Sequence, residues 1–272
     1  MSSPEFYREA RAYDIAFSDR DFVDECNFLE WCLRTHGDVS GPLSCLELAA
    51  GPARHAREFS RRGWRALALD LSQDMLDYAA DGARLEGTPI ETVLADMTDF
   101  TLKQPVALTM NLMESLSHLT TNTQVVAHLR AVAKNLLPGG VLVIEMAHPD
   151  SIWRDSLPNT WQSRSTDTQL FNNTPYTEVD VLFGSEHDPF DWVTQQWIVT
   201  TRLDIKEEGQ PPRVIEQHYP HRWYLAQELQ ALIDLSGAFD RVWWYGNMLV
   251  PPPPFDSSPD SDRMIIVLRK GA

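Results

Sequence analysis

LELAAGPARHA (46–56) is the stretch on which the reading of this chain turns. An apolar run from Leu46 to Ala50 breaks at Gly51. It passes into ARHAREFSRRG (53–63), which has the composition of a helix and stops at a glycine. A small residue at such a junction lets the backbone approach a ligand closely. Gly51 supplies it, with Ala49 and Ala53 on either side. In a doubly wound sheet, ligands sit outside the carboxyl ends of the strands, at the topological switch point.

Working outward, LSCLELAA (43–50) reads as the first strand and ALALDL (66–71) as the second. Ser72 is the N-cap expected for a helix through Met75, Leu76 and Tyr78. IETVLAD (90–96) and VALTMNL (106–112) read as the third and fourth strands. Val125, Val126, Leu129, Val132, Leu136 and Leu137 recur at helical spacing, with Thr121 as cap and Pro138-Gly139-Gly140 as stop. VLVIEMA (141–147) follows as a fifth strand. Strands alternating with helices predict a parallel sheet with helices on both faces and right-handed crossovers.

From about 151 to 219 the period changes to two. Val179, Val181 and Phe183 alternate with polar neighbours, as do Trp197, Val199, Thr201, Leu203 and Ile205. That pattern predicts an antiparallel sheet with one wet face, with EEGQPP (207–212) as a turn. The α/β pattern then resumes with a helix at Leu225–Leu235 and strands at DRVWWYGN (240–247) and RMIIVLR (263–269). PPPPFDSSPDS (251–261) reads as a long exposed loop, stiff or disordered. The expected division is an N-terminal helical segment or lid (1–42), an α/β core (43–150 and 220–272) and an inserted β lid (151–219).

The chain has 272 residues, 43% apolar and 23% charged, enough for a substantial core. Its 23 Lys and Arg against 39 Asp and Glu leave a formal charge of −16, which argues against a nucleic-acid surface. Cys26, Cys32 and Cys45 form neither a disulfide framework nor a zinc-ligand spacing, so no metal is expected. The N-terminus lacks a secretory apolar core, and no apolar run reaches membrane-spanning length. The expectation is a cytoplasmic protein without membrane partners.

Asp70 ends the second strand, 19 positions after Gly51, where a carboxylate can accept hydrogen bonds from both ribose hydroxyls. Asp96 ends the third strand. An acceptor there can meet an exocyclic amine, and Met97 offers apolar contact to an adenine face. Asp and Gly are also common at strand ends for turn reasons alone. Glu47 lies inside the first strand, so it must be paired or face a ligand amine.

LELAAGPARHA, ALDLSQDMLDYA (68–79) and VLADMTDF (93–100), followed by MESLSHL (113–119), NLLPGGVLVIEMAHP (135–149) and HRWYLAQELQALIDLSGAFDRVWWYG (221–246), together resemble class I S-adenosylmethionine-dependent methyltransferases of the small-molecule type. The matches cover roughly 43–149 and 221–270. The resemblance implies a Rossmann-like, seven-stranded α/β sheet whose last strand is antiparallel. It implies S-adenosyl-L-methionine as cofactor, with Asp70 on the ribose and Asp96 on the adenine amine. Leu71 and Met97 then flank the adenine, Glu47 faces the cofactor's amino group, and Asn111 and Leu112 lie beside the methionine moiety. Met75 falls within the second motif and joins the cofactor set with Ala49 and Gly51. Tyr13 and Arg54 reach the methionine part by analogy, or are a packed aromatic and a solvated charge. Ala49 and Ala53 stand where the family usually has glycines, and their Cβ atoms narrow the turn.

The reaction implied is methyl transfer to an N or O atom of a small molecule. The protein's main task is holding acceptor and methyl in near-attack geometry with water excluded. Glu114, His118 and His148 follow strands four and five and are candidate bases. Tyr224 can hydrogen-bond the acceptor and Arg222 can bind a carboxylate. Alternatively His118 caps a helix, His148 anchors a loop, and Trp223 is core. Trp161, Tyr176, Trp192 and Trp197, with Glu178, Asp180, Glu186, Asp188 and Asp191, describe either an acidic, aromatic mouth for an amine-bearing acceptor or a solvated acidic face over core tryptophans. Two other readings stay open: a nicotinamide-dependent oxidoreductase, which the lack of a full G-x-G-x-x-G weakens, and a non-catalytic nucleoside-binding relative.

Overall fold

The computed structural model describes residues 9–151, 157–165 and 176–271. Its centre is a seven-stranded sheet built from β1 (Ser44–Leu48), β2 (Arg65–Asp70), β3 (Glu91–Leu94), β4 (Val106–Asn111), β5 (Leu136–Ala147), β11 (Arg241–Tyr245) and β12 (Arg263–Arg269), in the order β11-β12-β5-β4-β1-β2-β3. Strands β1 to β5 pair in parallel, and β12 runs antiparallel between β5 and β11. This is the seven-stranded sheet expected, with its last strand reversed.

Both faces of the sheet are covered, which is why its central strands read as continuous apolar runs. Cys45 and Ala68 face a cluster with Phe28, Leu29 and Cys32 of α2 (Phe22–His36), Phe59 of α3 (Arg54–Arg61) and Leu76 of α4 (Gln73–Glu86). Leu46, Leu48 and Leu67 face the other way, against α5 (Asn122–Asn135) and α6 (Ala226–Ser236). Ser72 caps α4, accepting from the Met75 N–H, and Thr121 with Gln124 forms a capping box on α5.

One boundary differs from expectation. Helix α5 ends at Asn135, and β5 starts at Leu136 and runs straight through Pro138-Gly139-Gly140. Leu136 and Leu137 therefore belong to the strand, whose register against β4 shifts between Val106 and Leu108. Gly139 has φ +73°, and a Cβ there would lie 2.2 Å from the Asp38 carbonyl oxygen. The glycines allow a close approach of the chain that follows α2, not merely a helix stop.

The residues after the fifth strand form a second, antiparallel sheet in the order β10-β9-β7-β6. Its strands are β6 (Asn159–Arg164), β7 (Thr177–Phe183), β9 (Gln196–Glu207) and β10 (Arg213–Arg222), and a short β8 (Phe190–Asp191) pairs with β9. Its apolar face carries Val179, Val181, Leu203, Ile205 and Ile215 and packs on α1 (Ala10–Ala16) through Ala12, Ile15 and Ala16. The 1–42 segment is thus divided: α1 completes the second sheet's core and α2 covers the first. The proline-rich loop is pinned rather than loose. Phe255 stacks on Trp244, Ser261 is buried, and Pro254 bridges to Tyr245.

Candidate functional site

The turn after β1 is left-handed three times in five residues, at Ala49 (φ 49°), Gly51 (φ 50°) and Ala53 (φ 55°). Glycine adopts this conformation freely, whereas each alanine costs roughly 1–2 kcal/mol. The expected narrowing by two Cβ atoms therefore takes the form of stored backbone strain. Such strain persists where the surroundings over-determine it. Asp70 provides part of that constraint, because its Oδ2 accepts from the Gly51 N–H at 2.8 Å and its Oδ1 from the Ser72 N–H at 2.8 Å. Burial raises the Asp70 carboxyl above its ordinary range, against the lowering effect of these N–H groups. The acceptor capacity that these N–H groups leave on the carboxylate can meet a ligand hydroxyl.

A narrow, solvent-open cleft lies beside this turn. Its N-terminal wall is Tyr13, Asp14, Phe17 and Phe22. Its floor is Glu47 to Ala50, and Leu112, Met113 and Ser115 close it beyond β4. Of the residues singled out from sequence, the cleft brings together Tyr13, Glu47, Ala49, Arg54 and Leu112. Gly51, Asp70, Leu71, Met75, Asp96, Met97 and Asn111 do not line it.

These residues cluster instead around the ends of β2, β3 and β4. Leu71 is 65% exposed and Met75 fully buried. Asp96 Oδ1 accepts from the N–H and hydroxyl of Thr98 at 2.8 and 2.7 Å, a turn cap of its own. Met97 is held by Asn111 Nδ2, 3.4 Å from its sulfur, and its carbonyl lies 3.0 Å from His128 Nδ1. Asn111 is fully buried, and its Oδ1 has no hydrogen-bond partner. A buried acceptor of this kind can be satisfied by a ligand N–H.

Both oxygens of Glu47 are engaged within the protein. Oε1 lies 2.9 Å from His55 Nδ1 and Oε2 accepts from the Ala56 N–H at 2.8 Å. His55 Nε2 meets Glu25 at 2.6 Å. Burial by itself would lower the His55 pKa, but Glu47 and Glu25 reverse this and hold it at about 9. Arg20 continues the chain of charges, 2.8 Å from Glu25 and 2.9 Å from Glu145. Glu145 also pairs with Arg263 and accepts from the Met113 N–H at 2.9 Å. Burial raises the Glu145 carboxyl, yet the two arginines prevail and hold it below its usual range. Arg54 is likewise paired, its guanidinium forked onto Asp14 at 2.6 and 2.6 Å, with the Tyr78 hydroxyl donating to the same carboxylate. Burial, together with Tyr219 and Asp70, pushes the Tyr13 phenol up, so it stays neutral.

His118 ends a 3₁₀ turn (Ser115–His118) whose first residue lines the cleft. Burial pushes its pKa down to about 4 and leaves it neutral. His148 and Tyr224 do not line the cleft and are engaged elsewhere. His148 Nδ1 pairs with Asp150, its Nε2 lies 3.1 Å from the Asp256 carbonyl, and its ring packs on Phe255, so it anchors the loop after β5. The Tyr224 hydroxyl donates to the Leu119 carbonyl within the core, with Arg222 over its ring. Arg222 pairs with Glu228.

Of the two readings of 178–191, the pairings favour the solvated acidic face. Glu178 and Asp180 pair with Lys206 of β9, and Arg164 of β6 joins Glu178. Asp188 accepts from the Ser185 and Thr200 N–H groups, and Asp191 caps the Val193 turn. Trp192 is 69% exposed, Trp161 donates to the Ala16 carbonyl at 2.7 Å, and Trp197 meets Phe183. The sequence reading missed Asp14, Glu25, Arg20, His55 and Glu145. Glu145 carried a signal: like Glu47, it is a carboxylate inside an apolar strand and needs a partner.

Residues 45–140 match a family model described as a methyltransferase domain. A dTDP-3-amino-3,4,6-trideoxy-alpha-D-glucopyranose N,N-dimethyltransferase of Streptomyces venezuelae is 28% identical over 138 residues, 50% of this chain and 56% of that protein. The chain thus matches about half the length of its curated relatives. Among solved structures, an S-adenosylmethionine-dependent methyltransferase from Clostridium acetobutylicum superposes with TM-score 0.71 at 15% identity, covering 98% of this chain and 99% of that one. A sugar N-methyltransferase from a Streptoalloteichus species does so with TM-score 0.70 at 19% identity, covering 96% and 93%. At these identities the superpositions show the fold.

Proposed function

We propose, from the premise that this chain belongs to the class I S-adenosylmethionine-dependent methyltransferase family, that it methylates the amino nitrogen of a small molecule, an amino sugar carried on a nucleotide. The observation that carries this reading is the strained turn at Ala49, Gly51 and Ala53, tied through Asp70 to the end of β2. That arrangement presents backbone and carboxylate together where a nucleoside must sit. The acceptor class is supported by three relatives, two from Streptomyces species and one from Saccharopolyspora spinosa, whose names specify dTDP-amino sugars and N,N-dimethyl transfer.

When bound, S-adenosylmethionine supplies a methyl group activated by a sulfonium. Asp70 holds the ribose hydroxyls, Asp96 and Met97 take the adenine side, and Asn111 Oδ1 accepts from the amino-acid part. Glu47, already neutralised in part by His55, fixes the floor instead of binding the cofactor directly. Tyr13 and Phe17 from the N-terminal segment shield the cleft and limit water. His118, kept neutral by burial, borders the acceptor side. In this reading the described residues of the α/β core carry the cofactor, and α1 and the second sheet flank the acceptor side. No helix among the described residues is long and apolar enough to cross a membrane. The three free, buried cysteines fit a reducing cytoplasm.

Calorimetry with S-adenosylmethionine, its demethylated product and NAD tests the cofactor. Mass spectrometry of dTDP-linked 3-amino and 4-amino deoxysugars after turnover tests the acceptor. Binding of the two sulfur nucleosides and a mass gain of one or two methylene units are expected. Binding of NAD alone overturns the reading.

A further inference from the structure

Behind Ser115 of the cleft, the second sheet closes on the 3₁₀ turn through a group of rings that the cofactor residues do not use. His221 lies near the end of β10, directly across from Trp197 of β9. Its ring centroid is 5.7 Å from His118, 6.0 Å from Phe183 and 6.3 Å from both Trp197 and Tyr219. The Tyr219 ring lies 5.4 Å from that of His118, whose 3₁₀ turn begins at Ser115 in the cleft, and this joins the group of rings to the wall of the cleft. His221 itself is 6% exposed, and its Nδ1 is sealed from solvent with no hydrogen-bond partner. Two residues on, Trp223 Nε1 is also buried without a partner. Nε2 of His221 faces the Glu114 carboxylate at 3.9 Å.

A buried polar atom without a partner costs free energy, so its retention calls for an occupant. The carboxylate beside Nε2 favours the tautomer that carries its proton there. Nδ1 then presents a lone pair toward whatever enters. Burial and the neighbouring His118 keep the ring uncharged, so it acts as an acceptor and does not repel an amine as a cation would.

We propose that His221 is the acceptor-recognition residue: its Nδ1 accepts a hydrogen bond from an N–H of the substrate amine and turns the nitrogen lone pair toward the cleft. Phe183, Trp197 and Tyr219 wall the amine from water, and Glu114 fixes the tautomer. This assignment rests on the reading of the acceptor as an amine. It carries a consequence for the number of transfers. A primary amine offers two N–H bonds; each transfer forms one N–C bond, breaks one S–C bond to release S-adenosylhomocysteine, and leaves an ammonium whose surplus N–H proton passes to solvent as the products leave. The monomethyl amine keeps an N–H for His221, while the neutral dimethyl amine has none. Recognition therefore ends after two methyl groups.

The test is calorimetry of a dTDP-linked 3-amino deoxysugar, and of its 4-amino counterpart, on protein saturated with S-adenosylhomocysteine, alongside steady-state turnover. His221→Phe, which keeps the ring but removes the acceptor, is expected to weaken binding of the preferred sugar and raise its KM about tenfold. S-adenosylhomocysteine affinity should stay within about twofold. His221→Asn, which restores an acceptor near the Nδ1 position, is expected to recover most of the loss, a rescue that a merely structural ring would not show. Glu114→Gln, on a partly exposed side chain, should weaken binding about threefold and checks the assignment independently of packing at β10. Wild-type turnover with unchanged KM and affinity in His221→Phe overturns the assignment alone. Wild-type protein that binds S-adenosylhomocysteine yet neither binds nor methylates any amino sugar overturns the acceptor reading and this assignment together.

Discussion

At the rim of the seven-stranded sheet, Glu145 lies 1% exposed between Arg20 and Arg263. On the five-stranded sheet, Glu178 and Asp180 pair with a Lys206 that is 54% exposed. The two sheets handle charge in opposite ways because one is covered on both faces and the other on one. A charge taken out of water must be fully paired, and removing its partner is costly. A charge left in water gains little from pairing. Buried, paired charges thus frame the cleft, while the five-stranded sheet keeps a wet outer face.

This contrast can be broken most directly at Glu145. Glu145→Ala removes one of the two carboxylates that face Arg20 and the acceptor of the Met113 N–H, and is expected to cost about 3 kcal/mol of unfolding free energy in urea. A loss below 1 kcal/mol would erase the distinction between the sheets. The same network makes a pH signature. The His55 pKa of about 9 stands above its ordinary value of about 6.5. Its contribution is therefore fully present below about pH 6.5 and lost as pH rises through about 9. Relative to His55→Gln, the wild type should lose on the order of 3 kcal/mol between about pH 6 and about pH 10. Parallel stability curves for the two proteins would show that the imidazole is not held charged.

Asp70→Ala sharpens the comparison at the cofactor end of the same sheet. It should lower S-adenosylmethionine affinity by about 1–3 kcal/mol in calorimetry, and an unchanged affinity would remove the ribose from β2. Ala49→Gly relieves a left-handed alanine at the cost of greater chain freedom in the unfolded state. A gain of up to about 1 kcal/mol is expected in thermal melts, and a net loss would mean that the methyl group packs usefully. The smallest effect belongs to the second sheet: Asp180→Asn should change stability by less than about 1 kcal/mol, less still in high salt.

The order of elements from 43 to 147 was legible because each strand is bounded by a residue with a local reason to be there. Gly51 turns, Ser72 and Thr121 cap, and Asp70 closes. The alternation at 177–205 likewise revealed a one-sided sheet, since Val179, Val181, Leu203 and Ile205 point one way. What escaped depended on contacts between distant residues. Glu178 and Asp180 looked unopposed because Lys206 reaches them only after β7 and β9 pair. His148 and Tyr224 looked available because Asp256 and Leu119, which hold them, are 108 and 105 residues away. His221 was passed over because its neighbours come from a turn a hundred positions earlier. Leu136 and Leu137 continued a helical period that the adjacent β4 overrides.

Strand β12 lies between β5 and β11, yet it is made last. Without Arg263–Arg269, β5 keeps an open edge and β11 has no partner strand in the sheet, because β12 is the strand that pairs with both. The join between the two ends of the sheet therefore rests on Arg263–Arg269 as its keystone.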